Sequence, residues 1–154
     1  MYLLSIVLLV LAFPLGSIFA DHALYHPAIP LMMLVGKWFV FWACGVRLFI
    51  AGLRQAFQPR FTATALFGIE SDDALPFIQE LGMANISMGV LAIVSLEVPS
   101  FVLASAIASG LFYGFAGLKH LIRGHKNSQL RIAMVSDLFI FAVLATYVVS
   151  MRFG

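Results

Sequence analysis

Five long apolar runs, at about 1–20, 31–56, 76–98, 100–122 and 130–152, take up most of this chain and leave only short polar connections between them. Each is close to the ~20 residues that a helix needs to cross a bilayer. Globular domains carry roughly 25% charged residues. Here the charged share is 10% against 62% hydrophobic, with a mean hydropathy of +1.03, so a folded form has too little polar surface to face water. Lipid must be its solvent. The sequence therefore predicts an all-α integral membrane protein, a single membrane domain over 1–154 with five transmembrane helices. With 154 residues, no length is left over for a separate soluble domain. The net charge of +2 comes from scattered Lys and Arg, without a dense basic run, and this excludes nucleic acid as an expected partner. Membrane lipids are the expected partner instead. Cys44 is the only cysteine, so an intrachain disulfide is impossible.

The first run is interrupted at Ser5, Pro14, Gly16 and Ser17. It lacks the positive start of a signal peptide, and the residues before Ala20 lack the small residue expected at a cleavage site. A retained helix is expected, kinked or ended near Pro14. In the connection that follows, His22 and His26 stand four apart with Asp21 beside them, which on a helix would be a weak candidate for metal binding. Pro27 and Pro30 argue against a regular helix there, and the ordinary reading is a solvated loop. No metal and no cofactor are expected.

In the second run, Lys37 and Arg54 are near enough to the ends to reach water along their stems. Arg47 is not. Gly45 and Gly52 are seven apart, on nearly one helical face, and permit close approach of a neighbouring helix. The 57–75 connection is semi-apolar and aromatic, as in an interfacial segment. After it, Glu70, Ser71, Asp72 and Asp73 supply capping groups for the third run, with Pro76 allowed in the first turn. That run holds Glu80 and Asn85 inside an apolar stretch. In the fourth, Gly110 and Gly114 form a small-xxx-small motif extended by Gly117, marking close packing against a helix of this chain or of another. Ser105, Ser109, Tyr113, Ala116 and His120 form a polar stripe on the same run. The fifth carries Asp137 near its start.

Lys and Arg collect on the side of the 57–75 and 123–131 connections, so the positive-inside rule makes that side cytoplasmic. The N-terminus is then inside and the C-terminus outside. Arg47, Glu80, His120 and Asp137 all come to one depth in the inner half, where a charge is retained in lipid only with a partner or a function. One arginine can neutralise one carboxylate. Glu80 is the preferred partner of Arg47, with Asp137 the alternative.

Residues 47–63, Glu80-Leu-Gly-Met-Ala-Asn85, Gly117-Leu-Lys-His120 and Met134-Val-Ser-Asp-Leu138 resemble the signatures of an uncharacterised family of small bacterial multi-pass membrane proteins. More loosely, the part over about 31–152 is similar to DoxX-like proteins. The resemblance implies a four-helix bundle with the N-terminal helix added to it, in a bacterial inner membrane, and it implies no activity. Three readings follow. The first is a binding or transport-related protein holding a small polar molecule, a proton or a lipid headgroup against Arg47, Glu80, Asn85, His120 and Asp137. The second is an accessory subunit whose Gly110/Gly114 face recruits a partner subunit or a second copy. The third, ranked last because no catalytic motif is present, is a lipid- or quinone-directed enzyme.

Overall fold

A computed structural model describes residues 2–25, 28–122 and 127–153. The described residues are helical without a strand, and five helices are long and apolar enough to cross a membrane. These are α1 (Tyr2–Leu24), α2 (Leu31–Phe57), α4 (Asp72–Val94), α5 (Phe101–Ile122) and α6 (Ser128–Phe153), with a short α3 (Pro59–Ala65) between α2 and α4.

Pro14 neither ends nor breaks α1. The turns before it, Leu8–Ala12, are π-helical, and the Phe13 amide donates to the Leu8 carbonyl. A proline removes a donor and crowds the carbonyl four residues back. The wider turn lets the chain pass that position and continue. The helix therefore runs beyond the expected end near residue 20, and Asp21 and His22 belong to it.

Each boundary has a local cause. Before α2, Pro30 is extended (φ −53, ψ 132), and the amides of Met33 and Leu34 donate to its carbonyl. At the far end Gln58 leaves helical geometry (φ −134, ψ 54) ahead of Pro59, as the residue before a proline commonly does. Helix α3 ends on Gly68 at φ 63, with Gly68 N bonded to Thr64 O and Ile69 N to Ala63 O. The bond from the left-handed glycine back to the carbonyl four residues before it is that of the αL cap. Ser71 caps the start of α4 by accepting from the Asp73 amide, and the Asn127 carboxamide accepts from Leu130 N at the start of α6.

Two helix pairs form the body of the molecule: α2 packs extensively on α4, and α5 on α6. The first pair meets backbone to backbone. A Cβ on Gly52 would stand 2.6 Å from Gly82 O, one on Gly82 2.6 Å from Ala56 N, and one on Gly89 2.7 Å from Phe49 N. Gly45 faces Ile93 along the same seam. In the second pair, Gly110 faces Leu144, Gly114 the ring of Phe141, and Gly117 Leu138. The Gly110/Gly114 face, which the sequence left open to a partner, is thus occupied by α6 of the same chain. The early part of α1 leans on α2 and α6. Tyr147 of α6 lies where a side chain at position 36 would project, which brings α2 and α6 together. Buried apolar residues from all five long helices form the core, Leu34, Val40, Ala92, Ile140 and Leu144 among them, whereas Phe19, Phe77, Phe115 and Ile122 stand on the outside. An apolar exterior around a packed interior is what a lipid-solvated protein requires.

Candidate functional site

Arg47 begins the α-helical half of α2, directly after a π-helical segment, Val40–Val46. Its Nη2 donates to Asp137 Oδ1 at 2.8 Å and to Ser136 Oγ at 3.0 Å, both on α6. The guanidinium carbon stands 5.0 Å from the centroid of the Tyr113 ring on α5. The Tyr113 hydroxyl in turn donates to Ala43 O in the π-helical segment, at 2.7 Å. A wide turn leaves carbonyls less committed to their own helix, and here one is used across the interface. The Ser136 hydroxyl donates to Ala133 O, so its lone pairs remain turned to Arg47.

The second carboxylate oxygen of Asp137 faces His120 of α5, with Nε2 to Oδ2 at 4.0 Å. Side-chain exposure is 11% for Arg47, 8% for Asp137 and 12% for His120, so the group is withdrawn from the surroundings on every side. The pair lies well inside the spans: about 15 Å separates Arg47 from the end of α2 along its helix, and about 14 Å separates Asp137 from the start of α6, at 1.5 Å per residue. Beyond His120, the Phe67 ring comes within 6.5 Å of the imidazole. The segment carrying Phe67 is held to α6 by Asn127 Nδ2, which donates to Ala65 O.

Of the residues singled out by sequence, Arg47, His120 and Asp137 meet. Glu80 and Asn85 do not join them. Arg47 is paired with Asp137, not with Glu80, because helical periodicity turns Glu80 away. The buried face of α4 runs through Ile78, Gly82, Asn85, Gly89 and Ala92. Glu80 lies about 200° around the helix from Gly82 at 100° per residue, and it is exposed. Asn85 faces α2, but lower down, where its Nδ2 donates to Gln55 Oε1 at 2.7 Å. Close by, Gln79 Nε2 donates to Ala56 O.

The Asp21, His22 and His26 constellation takes a different form. Asp21 is buried and accepts from Lys37 Nζ at 2.7 Å and Trp38 Nε1 at 2.9 Å. His22 is exposed, and His26 lies outside the described residues. Among the described residues no group of His, Cys, Asp and Glu is arranged to hold a metal.

Sequence reasoning missed Ser136 and Tyr113 as partners of Arg47, and Lys37 as the partner of Asp21. Ser136 adjoins Asp137, and Tyr113 lies seven residues before His120 on the same stripe, so the signal for both was present. Nothing local announced the Asp21/Lys37 pair, which joins two helices.

The geometry allows proton exchange, hydrogen bonding and ion pairing at the shared carboxylate of Asp137, with a permanently charged guanidinium as its counter-ion. A model of a family of unknown function, DUF6790, matches residues 1–152. No curated protein and no solved structure matches the chain.

Proposed function

Since this chain belongs to that family of unknown function, its role has to be read from the site, and we propose that it binds a small polar molecule or a proton inside the membrane at Arg47, Asp137 and His120. One observation carries the reading: a single buried carboxylate is shared between a guanidinium and an imidazole that arrive on different helices. Ionisable groups at such depth are costly to keep and mark functional sites. In this reading α2, α4, α5 and α6 are the four-helix bundle around the site and α1 is an addition to it. The looser DoxX-like resemblance fits that bundle. The location is a bacterial inner membrane, with the N-terminus cytoplasmic and the C-terminus periplasmic. Arg54, Arg60, Lys119 and Arg131 near one set of helix ends, against Lys37 and Arg152 near the other, support that orientation.

The same contacts favour a second reading, an accessory subunit in which the ion pair serves as a clamp. Arg47 with Asp137, and Tyr113 with Ala43, tie α2 to α6 and to α5. Native mass spectrometry of the protein released from lipid separates the two. Binding predicts a small molecule retained by the wild type and lost from the paired variant Arg47→Met with Asp137→Leu, which removes both charges together. A wild type that carries nothing, and that travels as a stable multimer or with another subunit, favours the clamp.

A further inference from the structure

Serine and threonine hydroxyls in membrane helices usually bond a carbonyl of their own helix. Ser87, Ser95, Ser136, Thr146 and Ser150 do so here. Ser105 and Ser109 do not. Both are 1% exposed on α5, and both hydroxyl oxygens lack a hydrogen-bond partner. With Tyr113 they recur every four residues, which keeps them on one face. That face looks at the π-helical segment of α2, since Tyr113 bonds to Ala43 and the thiol of fully buried Cys44 lies beside Ser109. Arg47, one turn beyond Cys44, adds a third such atom, its Nη1, which makes no hydrogen bond although Tyr2 of α1 approaches the same guanidinium. Of the four such atoms among the described residues, three thus gather along one interface, and the fourth, Asn85 Oδ1, lies between α4 and α2.

An unsatisfied buried polar atom costs about 1–3 kcal/mol. Three of them at one interface are tolerated if something polar joins them. The charge of Arg47 is already answered by Asp137 at 2.8 Å, so an added anion would meet that carboxylate and an added cation the guanidinium. The guest this chemistry suits is uncharged, small, and able both to donate and to accept. We propose that Ser105, Ser109 and Arg47 Nη1 line a hydrated chamber between α2 and α5, in which water continues the Arg47/Asp137 site along the polar stripe toward the start of α5. A buried water typically makes about three hydrogen bonds. Ser105 lies about 12 Å along α5 from Tyr113, over which the guanidinium sits, so several waters bonded to one another and to these groups are required. The chamber rests on the reading above only in sharing Arg47. Hydration is read without reference to a retained ligand, so each proposal can fail alone.

Hydroxyl-radical footprinting tests it, with the radicals made by X-ray radiolysis of water around the full chain in lipid nanodiscs. Radicals formed from bound water label the side chains next to it even where bulk solvent does not reach. Tyr113 and Cys44 are expected to be modified several-fold more than Tyr147, which is buried against Gly36 and has no hydrogen bond to Arg47 or to either serine. In the Ser105→Ala with Ser109→Ala variant that excess falls to the Tyr147 level. The variant still gives a single cooperative thermal transition in detergent, which shows that it is folded. Tyr113 and Cys44 no more modified than Tyr147 in the wild type would overturn the proposal. So would an excess that survives loss of both hydroxyls in the folded variant.

Discussion

Removing one member of the Arg47/Asp137 pair leaves its partner charged and desolvated, which costs roughly 3–5 kcal/mol for a buried pair. Asp137→Asn is therefore expected to lower the thermal midpoint in detergent sharply, while Arg47→Met with Asp137→Leu recovers most of that loss because no unpaired charge remains. Glu80→Gln is expected to leave the midpoint unchanged or to raise it, because Glu80 is exposed on α4 outside the Arg47 network and a neutral amide is the less costly group to face lipid. The same melting assay checks all three. Arg47, His120 and Asp137 were legible as a group because counting from the helix ends gives depth. The partner of Arg47 was not, because depth says nothing about azimuth. The azimuth of Glu80 was in fact available from the spacing of Gly82, Asn85 and Gly89, which marks the opposite face of α4 as the packed one.

The two glycine interfaces differ in what opposes them. On the seam between α2 and α4 a new methyl group would meet backbone, as at Gly52 and Gly82, and backbone cannot rotate aside. Gly82→Ala should force the helices apart and cost at least the 1–3 kcal/mol typical of overpacking. Gly114→Ala meets the ring of Phe141, a side chain with freedom to turn, and should cost less. Differential scanning of the two variants gives the order directly, and an inverted order would show that the α5/α6 face is the more rigid. Five helices and most of their ends could be read from apolar length, prolines and capping residues. The continuation of α1 past Pro14 could not, because a proline is compatible with an end, a kink or a π-helical detour, and propensity does not choose among them.

A five-span chain puts its ends on opposite sides, and this can be observed on the whole molecule. In a Cys44→Ser background, a cysteine at Glu97 should react with an impermeant maleimide added to intact cells, and one at Glu70 only after permeabilisation. The reverse pattern would invert the orientation drawn from Lys and Arg. The amino-acid order alone pointed to lipid as the solvent and marked out the five long apolar helices and the position of each charge along its own helix, because hydropathy and rise per residue are properties of single helices. Which helices touch was settled by packing in three dimensions. The pairing of α2 with α4 and of α5 with α6, the use of the Gly110/Gly114 face within the chain, and the choice of Asp137 over Glu80 all depend on relative rotation about helix axes. Rotation is set by contacts between residues distant in the chain, and no local pattern records it.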